Sequence, residues 1–253
     1  MQSYVKLVIL QPLMTLFLDF GNTRVKAAVS DGQGVREVYC GSRQVQALES
    51  ALKGLQVQGG MWCSVREVDA DMLLWMQRHG LRQLTPDTPV PLANAYSTPA
   101  TLGMDRMAAA VGAWSMAQGQ NILVVDSGTA VTYDFVDASG VYRGGNIAPG
   151  IRLRLKSLHE HTGVLPLVEA RGVTPMLGTD TETALRSGAV TGVRNEISGY
   201  ITELESKCGM LSVFLTGGDA EFFDIKGKSS TFVVPNLVLI GLERIYEFNE
   251  KSI

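Results

Sequence analysis

The sequence predicts an α/β protein made of two related halves. In the stretch 16–29, an apolar strand runs into Asp19, then a polar turn containing glycine, then a second strand of alternating pattern. The same plan returns at 123–136, where Asp126 and Gly128 hold the corresponding places, and this self-similarity indicates an internal repeat. Helical spacing separates the other strand patterns, and no low-complexity segment or linker interrupts the chain.

Composition limits the class of protein. The 253 residues are 45% hydrophobic and 19% charged, which suits one large or two modest globular domains. A net charge of −3 provides no nucleic-acid footprint. Cys40, Cys63 and Cys208 lie far apart and favour a reducing compartment. No stretch approaches the roughly 20 apolar residues of a membrane helix. We therefore expect a cytoplasmic protein without a nucleic-acid or membrane partner.

The N-terminus resembles a short signal peptide, because Lys6 precedes an apolar run over 7–18. A proline interrupts this run, however, and the run ends inside the Asp19 hairpin, so cleavage would delete the first strand. We favour Met14 as the natural first residue, with residues 1–13 as an N-terminal extension.

The turn after Asp19 has the composition of an anion-binding loop. Gly21 allows the main chain to approach a ligand closely, and turn amides can meet phosphate oxygens. Asp19 is placed to hold a divalent cation through water. An ordinary hairpin with Asn and Asp as turn formers explains this stretch alone equally well. The second copy favours the functional interpretation, since two such hairpins facing one another across a cleft would clamp the phosphates and metal of one nucleotide.

Helices and one strand are predicted between the two hairpins. Apolar spacing predicts a helix over 45–55, stopped by Gly59-Gly60, and a second helix over 69–79, capped by Gly80. The short apolar run 61–65 between them predicts a strand.

An Ala-rich helix is predicted to begin beside Asp105 and Arg106. An acidic side chain is stabilised near the positive end of a helix dipole, whereas an arginine at that end is often directed at an anion. A capping aspartate with a surface arginine is the simpler alternative.

The second half continues the alternation. A glycine-rich loop is predicted at 144–150, opening a helix over 151–161, and its amides are placed to meet a phosphate or a substrate carboxyl; a plain tight connection is equally consistent. A long helix ends near Lys207. The stretch 213–220 predicts a strand, a Gly-Gly turn against which a base or ribose can lie, and a helix. The last predicted helix is 237–248.

Five motifs in this order resemble the type III pantothenate kinases, members of the acetate and sugar kinase/Hsp70/actin superfamily. They are Asp19-Phe20-Gly21-Asn22-Thr23, Gly103-Met104-Asp105-Arg106, Asp126-Ser127-Gly128-Thr129-Ala130, Gly144 to Gly150, and Thr216-Gly217-Gly218-Asp219. The resemblance implies two ribonuclease-H-like (actin-like ATPase) domains, each a mixed β-sheet flanked by helices, with a cleft between. We expect these domains at 14–115 and 116–253.

The resemblance also implies the activity, which is ATP-dependent phosphorylation of pantothenate to 4′-phosphopantothenate, the first step of coenzyme A biosynthesis, by a homodimer. Asp105 is the implied general base and Arg106 the charge partner near the substrate. Asp19 is implied to organise Mg²⁺, and Asp126 a monovalent cation, K⁺ or NH₄⁺. The implied ATP-binding residues are Asp19, Phe20, Gly21, Asn22, Thr23, Arg24, Val25, Lys26, Thr129, Gly217 and Gly218. The implied pantothenate-binding residues are Tyr96, Gly103, Met104, Asp105, Arg106 and, at the dimer interface, Thr181.

Two other functions stay open. A kinase of the same superfamily acting on another small hydroxylated substrate differs from this prediction only in the block from Tyr96 to Arg106. A nucleotide-binding regulatory or accessory protein of the same fold would be expected to have lost a catalytic carboxylate, whereas Asp19, Asp105 and Asp126 are all present.

Overall fold

The computed structural model describes residues 13–225 and 229–251. This part of the chain forms two compact units, one ending at Thr85 and the other beginning at Pro86. The predicted N-terminal extension lies outside the described residues, except for Leu13, which begins the first strand. Within the described ranges, no helix combines the length and apolar character needed to cross a bilayer.

The first unit is a five-stranded mixed sheet with two helices. Its elements are β1 (Leu13–Phe20), β2 (Val25–Ser30), β3 (Arg36–Gly41), α1 (Val45–Ala51), β4 (Gln56–Ser64), α2 (Ala70–Arg78) and β5 (Leu81–Gln83). The strand order is β3-β2-β1-β4-β5, in which β1, β2 and β3 pair antiparallel while β4 and β5 run parallel to β1.

Period-two alternation on β1 builds the core of this unit. Leu16, Leu18 and Phe20 share one face of the strand and pack in one apolar cluster with Met72 and Trp75 of α2. Each such fully buried side chain contributes about 1.5–3 kcal/mol relative to its exposed state. The same alternation leaves Asp19 on the opposite face, at the end of the strand.

The predicted helix stop at Gly59-Gly60 is wrong, because both glycines lie inside β4 and α1 already ends at Ala51. Gly60 has a φ of 148°, and a Cβ there would lie 1.8 Å from the carbonyl oxygen of Leu16. The pairing of β1 with β4 shifts register between Met14 and Leu16. The glycine therefore permits a close approach of two strands.

The second unit is a six-stranded mixed sheet with four helices among the described residues. Its elements are β6 (Ala93–Asn94), α3 (Met104–Met116), β7 (Asn121–Ser127), β8 (Ala130–Val136), β9 (Val141–Pro149), α4 (Ile151–Glu160), α5 (Thr181–Cys208), β10 (Leu211–Thr216), β11 (Ser230–Val233) and α6 (Leu237–Glu250). Short 3₁₀ turns occupy Pro99–Thr101 and Ala220–Phe222.

The predicted internal repeat is confirmed by strand order. The second sheet is ordered β11-β10-β7-β8-β9-β6. Its strands β9-β8-β7-β10-β11 reproduce both the order and the directions of β3-β2-β1-β4-β5, and β6 is added parallel to β9. Each unit therefore has the ribonuclease-H-like sheet of the predicted actin-like fold, and each carries its Asp-x-Gly turn in the corresponding hairpin, β1–β2 or β7–β8.

Two local predictions in this unit are wrong. The stretch 144–150 is strand rather than loop, since β9 continues to Pro149 and only Gly150 lies outside it, as the N-cap of α4. The helix predicted after Gly217-Gly218 is only the 3₁₀ turn Ala220–Phe222. The predicted long helices α3, α5 and α6 are all present.

The division between the units precedes the boundary predicted at 115/116. Helix α3 belongs to the second unit, where it packs along α6 and contacts β7 and β8. Its residues 106–113 are buried. Because a helix joins the unit that covers its apolar surface, packing rather than sequence position decides where α3 belongs.

Candidate functional site

The β1–β2 turn of the first unit carries Asp19 at its entrance. Asp19 is half-buried, lies opposite Lys26 across the hairpin and pairs with Cys63 on β4, whose Sγ is 3.8 Å from Asp19 Oδ1. Asn22 and Thr23 are exposed at the tip of the turn. The predicted phosphate turn thus presents polar groups at the surface of its unit.

Two arginines that the sequence analysis did not identify hold this turn. Arg43 Nη2 donates a hydrogen bond to the carbonyl oxygen of Gly21, and Arg66 Nη1 donates to that of Asn22 at 3.1 Å. Guanidinium groups also bind phosphate oxygens well, so their positive charge suits a turn predicted to bind triphosphate.

A cavity of about 890 Å³ lies beside the turn and is lined in part by Asn22, Thr23, Arg43 and Arg66. Its size is that of a small-molecule site. The lining also contains the carboxylates of Glu49, Glu67, Asp69 and Asp71. Because both signs of charge are present, the lining does not select one class of ligand.

In the second unit, the β7–β8 turn and the loop after β10 form one cluster. Asp126 pairs with Thr216 at the end of β10. Gly217 has a φ of 89°, and a Cβ there would lie 2.3 Å from the carbonyl oxygen of Ser127 and 2.4 Å from Asp126 Oδ1. The loop therefore packs directly onto the turn. This arrangement brings together four of the predicted residues, Asp126, Thr129, Gly217 and Gly218.

This cluster contains oxygen atoms of the kind that bind cations. The carboxylate of Asp126 is half-buried, and its Oδ1 lies beside the backbone of Gly217. Carboxylate, hydroxyl and carbonyl oxygens are the donors that hard cations prefer. Residues 13–225 and 229–251 contain no group of three or more His, Cys, Asp or Glu side chains arranged to hold a metal ion by themselves.

Asp219, in the same loop, is fully buried and forms an ion pair with Arg152 of α4. Its Oδ1 accepts a hydrogen bond from Arg152 Nη1 at 2.5 Å. Burial raises the pKa of Asp219, and the bond from Arg152 lowers it in part. Arg152 is 60% exposed, but its guanidinium is fixed to the loop by this ion pair.

Asp105 lies in the first turn of α3, after Gly103 at the N-cap. Its carboxylate is half-buried and lies beside the backbone amide of Arg106. Burial raises the pKa of Asp105 above its ordinary value of 3.8, the Arg106 amide lowers it in part, and the nearby charge of Asp134 raises it further. A carboxylate with a raised pKa suits proton acceptance.

Arg106 points into the second unit and forms a buried ion pair with Asp134 on β8. Arg106 Nε and Nη2 lie 3.0 and 2.6 Å from Asp134 Oδ1, and the two side chains are 6% and 1% exposed. Burial opposes the charge of Arg106, but the bonds to Asp134 outweigh it and raise the pKa of Arg106. The alternative of a surface arginine is therefore wrong. Tyr96, another predicted substrate residue, places its ring 5.9 Å from the guanidinium carbon.

Thr181 is the first residue of α5 and is exposed. The preceding Asp180 caps the helix, accepting a hydrogen bond from the Thr183 backbone N–H at 2.9 Å. The predicted contact of Thr181 with substrate at a dimer interface stays a prediction.

Comparison with known proteins gives a consistent result. The family model described as type III pantothenate kinase matches residues 15–203. A type III pantothenate kinase of Phocaeicola vulgatus is 44% identical over 241 residues, covering 94% of this chain and 100% of that protein. A type III pantothenate kinase of Bacteroides fragilis is 44% identical over 243 residues, covering 95% and 100% of the two chains.

Among solved structures, this chain is similar to a Campylobacter jejuni protein described as a Baf family transcriptional activator. The TM-score is 0.61 at 21% sequence identity, covering 93% of this chain and 99% of that chain. At this level of identity the likeness concerns the fold, and it agrees with the two repeated sheets.

Proposed function

Because the chain belongs to the type III pantothenate kinase family, we propose that it transfers the γ-phosphoryl group of ATP to the primary hydroxyl of pantothenate. The product is 4′-phosphopantothenate, and the reaction is the first step toward coenzyme A. The chain is a kinase, and the proposals below concern the residues that carry the reaction.

Asp105 is the proposed general base, accepting the proton of the attacking hydroxyl. The raised pKa of its half-buried carboxyl supports this role, since a base works best when its pKa approaches the operating pH. Arg106 is the proposed charge partner of pantothenate, in a site completed by Tyr96, Gly103, Met104 and, from the dimer interface, Thr181. Phosphoryl transfer passes through a loose transition state, so positioning and charge neutralisation supply most of the acceleration.

ATP is proposed to bind through both Asp-x-Gly turns. The first-unit residues are the turn and its flanks, 19–26, to which Arg43 and Arg66 add positive charge. The second-unit residues are Thr129 and the Gly217-Gly218 loop, whose open backbone suits a flat base or ribose.

Two cations are proposed to accompany ATP. Asp19 would hold Mg²⁺ through water, and Asp126 would hold K⁺ or NH₄⁺, as their carboxylate oxygens allow. When bound, such cations neutralise charge on the phosphates. We also propose a cytoplasmic homodimer; the cysteines, described as free thiols, agree with a reducing compartment.

The observation that carries the proposal is the placement of Asp105 and Arg106 in the first turn of α3, one with a raised pKa and the other held by Asp134. The test is a coupled assay of ADP formation with pantothenate, with and without K⁺, and mass spectrometry of the product. We expect ADP formation that depends on pantothenate and rises with K⁺.

Two results would contradict this proposal. Turnover with another small alcohol but not with pantothenate would indicate a different kinase of the superfamily. Tight ATP binding without phosphorylation of any alcohol would indicate the regulatory alternative.

A further inference from the structure

The carboxylate of Asp134 is assigned no contact with a reactant in the reaction as proposed, yet it is one of the most completely buried charges in the second unit. It is 1% exposed. Its Oδ1 accepts hydrogen bonds from Arg106 Nε at 3.0 Å, from Arg106 Nη2 at 2.6 Å and from the Tyr142 hydroxyl at 2.5 Å. Burying a charge is costly unless the charge is paired and hydrogen-bonded. The partners of Asp134 therefore offset the cost of burying its carboxylate.

The geometry of the pair orients Arg106. A guanidinium is a rigid planar fork with five N–H groups. Asp134 contacts the edge formed by Nε and Nη2, and this fixes the plane of the group and directs the opposite edge, with Nη1, away from β8. The ring of Tyr96 lies 5.9 Å from the guanidinium carbon, beside the fork.

The neighbouring strand leaves room for this arrangement. Gly145 pairs with Asp134 across β8 and β9, and a Cβ at Gly145 would lie 2.7 Å from Asp134 Oδ1. A Cβ at Gly144 would lie 3.5 Å from the Tyr96 ring. The two glycines that begin the predicted glycine-rich loop therefore leave space for Asp134 and Tyr96.

We propose that Asp134, supported by Tyr142, is a positioning residue for substrate binding: it holds Arg106 on β8 so that the opposite edge of the guanidinium faces a polar group of pantothenate. This inference rests on the proposed function. It assigns to Asp134 no contact with substrate and no proton transfer. Its effect is exerted on substrate affinity through Arg106.

The test uses Asp134→Asn, which keeps the shape of the side chain and removes its charge. Hydrogen bonds to charged groups contribute about 1.5–3 kcal/mol, equivalent to roughly 10–100-fold in an equilibrium constant. We expect KM for pantothenate to rise by roughly that factor, with KM for ATP within about twofold of wild type. Calorimetric titration with pantothenate should show the same loss of affinity.

Glu196→Gln is the matched control. Glu196 forms an arginine–carboxylate pair with Arg154 in the same unit, at 2.7 Å for both bonds. This variant is expected to lower Tm while leaving KM for pantothenate unchanged. A wild-type KM in Asp134→Asn, or an equal rise of KM in Glu196→Gln, overturns the positioning role.

Tyr142→Phe keeps the test decisive if Asp134→Asn does not fold. It removes one hydrogen bond from Asp134 and leaves both charges in place. We expect a rise of a few-fold in KM for pantothenate with little change in kcat, and an unchanged KM overturns the inference. Failure of the proposed function is distinct, because wild-type protein would then neither bind nor phosphorylate pantothenate.

Discussion

Asp105 has an environment that favours its proposed role in catalysis and opposes folding. Its pKa is raised, chiefly by burial, so the ionised form is less stable in the folded chain than in the unfolded chain. The same shift brings the carboxylate closer to the pKa of an effective general base. A residue kept for function at the expense of stability shows opposite effects on activity and on Tm when it is neutralised.

Asp105→Asn is therefore predicted to lower kcat by about 10²–10⁴-fold, the typical contribution of a general base. Tm is predicted to rise, by roughly 2–4 °C for each kcal/mol gained. ATP affinity should remain near wild type. Kinetics, calorimetry and ATP titration measure the three quantities, and a wild-type kcat would remove Asp105 from the base role.

Asp137 gives the matched control for the change in stability. Burial raises the pKa of Asp137, but hydrogen bonds from Ser139 and Arg143 outweigh this and bring it to about 2. Its ionised form stabilises the folded chain at pH above 3.8, and this contribution is lost as pH falls toward about 2. Asp137→Asn should therefore lower Tm at neutral pH, in contrast to Asp105→Asn.

The pH dependence of the reaction follows from the same shift at Asp105. A base must be ionised, so kcat is predicted to fall on the acid side at a pH above the ordinary carboxyl value of 3.8. The contribution of Asp105 to the free energy of unfolding depends on pH in the opposite direction. Protonation of Asp105 favours the folded state, so its contribution is full below pH 3.8 and is lost as pH rises through the raised pKa. An acid limb at or below 3.8, with Tm measured in parallel, would contradict the assignment.

At the scale of elements, the loop after β10 is held against the β7–β8 turn by a contact that only glycine allows. Gly217 has a positive φ, and a Cβ there would overlap the backbone of Ser127, whereas a Cβ at Gly218 would meet nothing within 4 Å. The two adjacent glycines are therefore needed for different physical reasons. Gly217 allows the loop to pack closely on the turn, and Gly218 leaves the loop backbone open to a ligand.

Gly217→Ala is predicted to destabilise the second unit by at least about 1–3 kcal/mol, because it adds backbone strain to a steric clash. Gly218→Ala is the matched control and should leave Tm near wild type, although a methyl group at a predicted nucleotide contact should weaken ATP binding. Differential scanning calorimetry and ATP titration separate the two effects. Equal changes of Tm in both variants would show that the close contact with Ser127 is not needed.

Periodic elements and their order were predictable from the sequence, and close contacts between distant segments were not. Alternation at 16–29 and 123–136 predicted both hairpins, because burial of one sheet face leaves a local trace. The prediction of a helix stop at Gly60 is wrong because a glycine is needed there for a different purpose, the close approach to the backbone of Leu16, which is far away in the sequence. The role of Arg43 could not be predicted either, because its partner, the carbonyl oxygen of Gly21, is also distant in the sequence.

The functional site, like the fold, was predictable only where its signal is local in the sequence. Motif order placed Asp105 and Arg106 at a helix start, and the structure agrees. Asp134 was missed, although a carboxylate inside the largely apolar strand β8 (Ala130–Val136) is a signal that a buried partner must exist. Naming Arg106 as that partner requires the tertiary structure, since the two residues lie on different elements.

At the scale of the whole molecule, one segment carries apolar side chains that residues 13–225 and 229–251 leave uncovered. Between α4 and α5, Val164, Val173, Met176 and Leu177 are between 72% and 91% exposed. The segment is nonetheless held in place, because Arg186 Nε donates to the carbonyl of Glu169 at 2.9 Å. Exposed apolar side chains of this kind are typical of a protein–protein contact, and the segment precedes Thr181, which the family resemblance assigns to a dimer interface.

We therefore predict that replacing Met176 and Leu177 together by glutamate converts the proposed homodimer into monomers, because two charges on each chain would have to be desolvated at the contact. The same variant should raise KM for pantothenate, since Thr181 lies close by in the sequence. Met210→Glu is the matched control, because Met210 is 74% exposed and lies outside the segment. Light scattering after gel filtration measures the mass of each variant. A monomeric wild type, or dissociation by Met210→Glu alone, would show that this segment is not the dimer contact.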